Sequence, residues 1–171
     1  LINGNMPGTN NPFEGIDTGW SRIEGGKAIG NILNPLNEKI NYEKPWEIVP
    51  ELIEAFKLIK KLPDEHWREL KTRQIKSLIS NCLGLYLEAT AVQPYANPGE
   101  EIDLDIEVTN RSELDIRLQE IQLTDNAPLQ PKRKLSENEQ FIKTLRFQVP
   151  ENADYSTPYW LRNEPEMSVY S

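Results

Sequence analysis

Residues 75–92 have the sequence IKSLISNCLGLYLEATAV, and the spacing of their apolar residues changes at Gly84. Before that glycine the apolar positions are three or four residues apart, which is the period of an amphipathic helix. After it Leu85, Leu87 and Ala89 alternate with other side chains, which is the period of a half-buried strand. A glycine at such a junction is a common end of a helix. The chain is therefore predicted to be α+β, with its helices first and its strands second.

Upstream of this junction two more stretches carry helical patterns. Residues 26–40 have apolar side chains at helical spacing, but Pro35 predicts a break just before it. Residues 45–62 form the clearest pattern, with glutamates early and lysines late, as the helix dipole favours. Asp64 then predicts the N-cap of the next helix. Residues 25–84 are therefore predicted to be a helical region that contains a helical hairpin.

Downstream of the junction, alternating patterns are separated by turn signals. The cleanest one covers residues 102–108 and follows an Asn-Pro-Gly turn at residues 97–99. The next pattern shifts its phase by one residue near positions 119–120, which predicts a bulge. Residues 132–135 carry three basic side chains and are a weak edge-strand candidate. Residues 85–150 are predicted to form a small antiparallel immunoglobulin-like β-sandwich.

Both ends of the chain are predicted to be linkers. Residues 1–24 contain many Gly, Asn and Pro residues, and we expect an extended linker from a missing upstream domain, held in place by its aromatic side chains. Residues 151–171 show little periodicity, and we expect a linker to a missing downstream domain. No run approaches the roughly 18 apolar residues of a membrane span, so membrane insertion is not expected. Residues 1–11 lack the basic and apolar regions of a signal peptide.

Charge and composition exclude several classes of function. The 171 residues include 19 Lys and Arg against 27 Asp and Glu, which gives a formal net charge of −8. Such a chain is a poor candidate for binding nucleic acid or an anionic membrane surface, because both need Lys and Arg to neutralise phosphates. The single cysteine, Cys82, and the single histidine, His66, exclude a disulfide within the chain and a zinc site built from Cys and His.

Few side chains suggest catalytic or metal chemistry. Asp103, Asp105 and Glu107 lie on one face of the predicted strand, where they are either a calcium site or, as we favour, a solvated acidic face. His66 lies in the first turn of a predicted helix and is expected at the surface. Cys82 falls on an apolar helical stripe and is expected in the core. No catalytic, cofactor-binding or metal-binding residue is assigned.

Aromatic side chains offer one further kind of site. Trp20, Trp46, Tyr159 and Trp160 are candidates for contact with a glycan or a neighbouring domain, because aromatic rings stack on sugars and fill interfaces. The alternative to glycan contact, which we favour, is that the tryptophans pack in the core or against an adjoining domain.

Several segments resemble a known family in their order and spacing. Residues 13–22, FEGIDTGWSR, followed by glycines at 25–26, resemble the segment after the catalytic domain in large PIG-L/LmbE-like proteins of Bacteroidetes. Residues 83–89, LGLYLEA, and residues 150–161, PENADYSTPYWL, resemble the same proteins. Residues 96–112 resemble the accessory β-sandwiches attached to many glycosidases.

The resemblance implies a function that these residues alone do not. PIG-L/LmbE-like proteins are zinc-dependent deacetylases of N-acetylated sugars, with a His-Pro-Asp-Asp motif and a further zinc-binding His. This sequence lacks that motif, and its nearest string, Pro63-Asp64-Glu65-His66, has another order. The resemblance therefore implies a non-catalytic accessory region of a larger deacetylase, with zinc only in the missing catalytic domain.

The same resemblance implies partners and a location. The partners would be adjacent domains of the parent chain and a glycan, and the location would be the periplasm, the cell surface or the exterior. The alternative is an independent β-sandwich module that binds carbohydrate or protein.

Overall fold

The computed structural model describes residues 15–123 and 128–158. Its fold is α+β, as the change of period at Gly84 predicts. The chain divides into two compact units, Leu1–Gly84 and Leu85–Ser171, which we call the helical unit and the β-unit.

From residue 15 onward the helical unit contains α-helices and short 3₁₀ turns. In chain order they are the 3₁₀ turn Trp20–Arg22, α1 (Gly26–Leu33), α2 (Leu36–Lys39), the 3₁₀ turn Pro45–Ile48, α3 (Val49–Ile59) and α4 (Glu65–Cys82). The predicted break is confirmed between α1 and α2, since Pro35 cannot continue the hydrogen-bond ladder. Pro50 is tolerated in the first turn of α3, where its missing N–H has no helical partner to lose.

Both predicted ends of α4 are confirmed. The Asp64 carboxylate accepts a hydrogen bond from the backbone N–H of Trp67 at 2.9 Å, as an N-cap does. At the other end Gly84 has a φ of 57°, a left-handed conformation that favours glycine over other residues. The helix therefore starts and stops where local chemistry sets its limits.

The core of the helical unit joins α1, α3, α4 and the segment before α1. Its buried residues are Ile23, Ile29, Ala55, Ile59, Leu62 and Ile75. Ala55 is fully buried in the middle of α3, and its small side chain lets neighbouring helices approach. Ile53 of α3 and Leu78 of α4 are 40% and 43% exposed, because they lie at the margins of the apolar faces of their helices.

The segment before α1 belongs to this core. Trp20–Arg22 form a turn of 3₁₀ helix, and the following Ile23 is only 6% exposed. Within the predicted linker at residues 1–24, the residues that follow Thr18 therefore pack on the helical unit. Residues 1–14 of this linker lie outside the described residues, as do residues 159–171 of the other predicted linker.

Over its described residues the β-unit contains two antiparallel sheets. The strands are β1 (Tyr86–Ala91), β2 (Glu101–Thr109), β3 (Ile116–Leu118), β4 (Arg133–Leu135) and β5 (Gln140–Gln148). One sheet has the order β1-β2-β5, and the other pairs β3 with β4. In the first sheet Leu87 lies opposite Val108, which in turn lies opposite Phe141. Within the described residues β4 pairs only with β3, as its predicted edge position requires.

A single apolar cluster contains side chains from both sheets. Its buried members are Ile106, Val108 and Leu135, and Leu118 and Ile121 pack against them. The bulge predicted near residues 119–120 is instead an interruption: β3 ends at Leu118, and Ile121 forms an isolated bridge with Leu129. The shift of phase keeps Leu118 and Ile121 both in the apolar cluster.

A buried polar corner follows β2, at the turn predicted near residues 110–112. The Asn110 amide donates to the carbonyl oxygens of Leu114 at 2.7 Å and Leu135 at 3.1 Å. Its own oxygen accepts from the Ser112 N–H at 3.0 Å and hydroxyl at 2.8 Å. Asn110 and Ser112 are both fully buried, so this satisfied network ties the end of β2 to β4.

Candidate functional site

Trp20 is positioned by two glycines of α1. A Cβ atom added at Gly26 would lie 2.2 Å from the Trp20 carbonyl oxygen, and one added at Gly30 would lie 3.0 Å from the Trp20 Cβ. The two glycines are one helical turn apart and therefore share a face of α1. Their lack of side chains lets the 3₁₀ turn lie directly against the helix. Trp20 itself is half-buried.

Two cationic side chains flank the rings of Trp20 and Trp67. The Lys71 Nζ lies 5.5 Å from the Trp20 ring and 5.7 Å from the Trp67 ring, and the Arg22 guanidinium lies 4.7 Å from the Trp67 ring. We call these four residues the Trp20 cluster. Exposed cation–π contacts of this kind are each worth about 0.5–1 kcal/mol. The cluster therefore adds to the packing that holds the segment before α1 on α4.

Asp17 shapes the start of the same segment. Its carboxylate accepts hydrogen bonds from the Ser21 hydroxyl and the Gly19 N–H, both at 2.8 Å. These bonds, that from Ser21 first, lower the pKa of the Asp17 carboxyl. The segment before α1 is thus held by several local contacts.

The predicted aromatic residues do not all gather at this cluster. Trp46 is half-buried in the 3₁₀ turn Pro45–Ile48, and within the described part of the chain no ring or cation contact joins it to Trp20. Tyr159 and Trp160 lie outside the described residues. Trp67 and Lys71 could have been added from the sequence, since residues four apart share a helix face. The Arg22 contact depends on tertiary packing that spacing does not reveal.

The single histidine and cysteine lie where the sequence predicts. His66 is exposed in the first turn of α4, edge-on to Trp67 with the ring centroids 5.3 Å apart. Cys82 is 5% exposed, and burial raises the pKa of its thiol. A buried thiol of raised pKa is a weak nucleophile.

The predicted acidic stripe is part of a larger acidic face. The strand register places Glu88 beside Glu107, and Glu101 continues the row of Asp103 and Asp105. The Asp105 carboxylate accepts from the Thr144 hydroxyl at 2.6 Å, and Glu107 accepts from the Gln140 amide at 2.6 Å. Within residues 15–123 and 128–158, no three or more His, Cys, Asp or Glu side chains are arranged to hold a metal ion. The acidic side chains instead make polar contacts across the sheet.

The opposite face of the same sheet carries an apolar groove of about 420 Å³. Leu87 and Ala89 of β1 line one side, Ile106 and Val108 of β2 form part of its wall, and Leu118 and Ile121 line the other side. Leu87 is 62% exposed although it shares a face with buried Val108. Alternation correctly predicts which way Leu87 points, but it does not reveal that the second sheet leaves β1 uncovered.

No helix among the described residues is long and apolar enough to cross a bilayer. Comparisons with protein-family models, with curated proteins and with solved structures found no match for this chain.

Proposed function

We propose that the chain is a non-catalytic accessory region of a larger zinc-dependent deacetylase of N-acetylated sugars, of the PIG-L/LmbE-like kind. In this proposal the helical unit positions the adjoining catalytic domain. Zinc belongs to that domain alone, and the periplasm or cell surface is the expected location. Adjacent domains of the parent chain are the main partners.

The observation that carries the proposal is the close fit between Trp20 and Gly26. Both residues belong to segments that resemble the family, and in the structure their role is to lock the chain onto α1. A segment fixed in this way enters the helical unit in a defined direction, whereas an extended linker would not. A fixed direction of the chain at this point is what a region that holds a neighbouring domain in place requires.

The first test is the reading frame upstream of Leu1. We expect a signal peptide, a His-Pro-Asp-Asp motif and a later histidine for zinc. A start codon at or just before Leu1 would overturn the proposal.

A second test uses the longer protein and follows release of acetate from N-acetylglucosamine oligomers. Gly26→Ala displaces the entry segment and is expected to lower activity. Asp64→Ala weakens the same helical unit at the turn before α4 and serves as the matched control. Equal activities of the two variants, at a temperature where both remain folded, would contradict a positioning role.

For the β-unit we propose an immunoglobulin-like sandwich. The support is that Ile106 of the three-stranded sheet and Leu135 of the two-stranded sheet share one apolar cluster. An experimental structure in which the β3–β4 pair lies away from the other sheet would overturn this assignment.

Contact with glycan is a second function, and two tyrosines of the β-unit favour it. Tyr95 and Tyr155 are 79% and 72% exposed. Exposed aromatic rings present apolar faces on which sugars stack. Titration with chitooligosaccharides, followed by calorimetry, is expected to show binding that Tyr95→Ala and Tyr155→Ala weaken. Binding unchanged in both variants would exclude these two rings as the contact.

A further inference from the structure

The free edge of β1 and the apolar groove beside it form one continuous surface. Within the described residues β1 pairs only with β2, and five of its six residues are exposed. An edge strand without a partner presents a row of backbone donors and acceptors to which another strand can add.

The hydrogen-bond pattern identifies which residues present that row. The Val92 N–H donates to the Asp103 carbonyl at 2.9 Å, so this pair is a hydrogen-bonded one. Hydrogen-bonded and non-hydrogen-bonded pairs alternate along an antiparallel ladder. Glu88 and Thr90 therefore direct their backbone groups toward β2, whereas Leu87, Ala89 and Ala91 direct theirs to the free edge.

The side chains of those edge residues lie on the face of the sheet that carries the groove, and Leu87 and Ala89 line it. Leu87, Ala89 and Ala91 share the face of Ile106 and Val108, because paired residues of a sheet lie on the same side. The groove volume of about 420 Å³ lies within the range of about 300–1,000 Å³ that is typical of ligand sites. A strand added at β1 would place every second side chain over this groove.

The intervening side chains of an added strand would meet the acidic face. That face carries Glu88, Glu101, Asp103, Asp105 and Glu107, and Arg146 is the one basic residue among the three strands on this side. Arg146 lies 3.8 Å from Glu101, at the end of the sheet far from Glu88. Arg111 lies over the Tyr86 ring, at the start of β1. Basic side chains would therefore be attracted beside Glu88 and Thr90.

We propose that β1 is a docking site for an extended polypeptide segment with apolar and basic residues in alternation. The segment adds as a strand to β1, its apolar side chains fill the groove, and its Lys or Arg side chains face Glu88. A second copy of this chain fits poorly, because edge-to-edge pairing would bring two acidic faces into one sheet. The inference stands independently of the accessory function proposed above.

The experiment measures binding of a fluorescein-labelled peptide, acetyl-Lys-Val-Lys-Val-Lys-Val-Lys-amide, to the full chain by fluorescence anisotropy. Two control peptides are its glutamate counterpart and a block peptide of four lysines followed by three valines. The alternating basic peptide is expected to bind in a saturable manner, and more tightly than either control. If the block peptide bound as tightly as the alternating basic peptide, charge alone would explain the binding, and the proposal would be overturned.

Amide hydrogen exchange followed by NMR gives a readout for each residue. On binding, the N–H groups of Leu87, Ala89 and Ala91 are expected to gain protection, while those of Glu88 and Thr90 are already protected by β2. Binding without this alternation would refute strand addition. The same three N–H groups could instead be protected in the absence of peptide, in a chain that elutes as a dimer. That result would identify a second copy of the chain as the occupant of β1, and it would overturn the proposal of a basic peptide partner.

Matched variants separate the backbone from the charge. Ala89→Pro removes an N–H that faces away from β2, and it is expected to weaken peptide binding by about two- to tenfold. Ile142→Pro makes the same kind of change on β5, the other edge of the sheet, and is expected to leave binding unchanged. Thermal melts establish that both variants fold.

Glu88→Lys tests the charge without altering the backbone. We expect peptide binding to weaken by about two- to fivefold, since cross-strand charge pairs are of that size. Glu51→Lys, on an exposed position of α3, changes the net charge equally and is the control. Equal effects of the two variants would refute a local contact at Glu88.

Discussion

The fit between the Trp20 carbonyl and Gly26 predicts that Gly26→Ala is strongly destabilising. The added Cβ would lie 2.2 Å from that oxygen and 3.2 Å from the Ile23 Cβ. The carbonyl must withdraw by about 1 Å to regain an ordinary contact distance. Because the same oxygen accepts the Ile23 N–H at 3.1 Å, its withdrawal breaks the 3₁₀ turn.

The magnitude is bounded by two estimates. Overpacking of a well-packed site costs about 1–3 kcal/mol. Detachment of the segment would expose Ile23, whose burial contributes about 1.5–3 kcal/mol. We therefore expect Gly26→Ala to lower the free energy of unfolding by about 2–3 kcal/mol. Helix propensity offsets little of this loss, because Gly26 is the first residue of α1.

Gly30→Ala is the matched control. Its Cβ would lie 3.0 Å from the Trp20 Cβ, a contact that a shift of a few tenths of an ångström relieves. Alanine also improves helix propensity by about 1 kcal/mol inside a helix. The net change is expected to stay within about 1 kcal/mol. Urea unfolding followed by circular dichroism at 222 nm measures both variants, and a Gly26→Ala chain as stable as the Gly30→Ala chain would refute the reasoning.

Three further predictions concern a cap, a corner and a thiol. Asp64→Ala removes the N-cap of α4 and should lower the free energy of unfolding, measured in urea, by about 1 kcal/mol. Asp64→Asn keeps a capping side chain and should be close to wild type. Equal losses in the two variants would show that the cap hydrogen bond is unimportant. Asn110→Ala removes the amide that donates to the part-buried carbonyl of Leu114 and to the buried carbonyl of Leu135, and it should cost about 2–4 kcal/mol by the same measurement. A loss below about 1 kcal/mol would contradict the satisfied-network account. Because the pKa of Cys82 is raised, the folded state holds this proton more tightly than the unfolded chain. Its stabilising contribution is present at neutral pH and is lost as pH rises through and above the ordinary thiol range. The difference in unfolding free energy between pH 7 and pH 10 should therefore shrink in Cys82→Ala, and an unchanged difference would refute this effect.

Local chemistry predicted most of the secondary structure. The limits of α4 follow from Asp64 and Gly84, and the break after α1 follows from Pro35. The strand at residues 102–108 could be predicted because its apolar residues alternate with polar ones, as they do in a strand with one buried face. These features depend on neighbours in sequence, so the sequence alone reveals them.

The candidate surfaces depend on packing between distant segments and were harder to predict. The role of Gly26 requires that residue 20 return to α1, which no local pattern specifies. The exposure of Leu87 depends on how far the second sheet extends over β1. The alternation of apolar residues in β1 is the same as that of a strand whose apolar face is covered, so it does not reveal this exposure. Sequence spacing therefore predicted directions of side chains, but not which apolar faces would remain open.

The contacts of Trp20 imply different evolutionary constraints on the two glycines of α1. At position 26 the obstacle is a backbone oxygen, which is present whatever residue occupies position 20. Homologues that keep this turn are therefore expected to retain glycine there. At position 30 the nearest atom is the Trp20 Cβ at 3.0 Å, and the ring atoms Cγ and Cδ1 lie at ordinary contact distances of 3.5 and 3.6 Å, so a small shift of the turn would admit alanine. Position 30 should therefore accept glycine or alanine among homologues, whereas position 26 should be invariant.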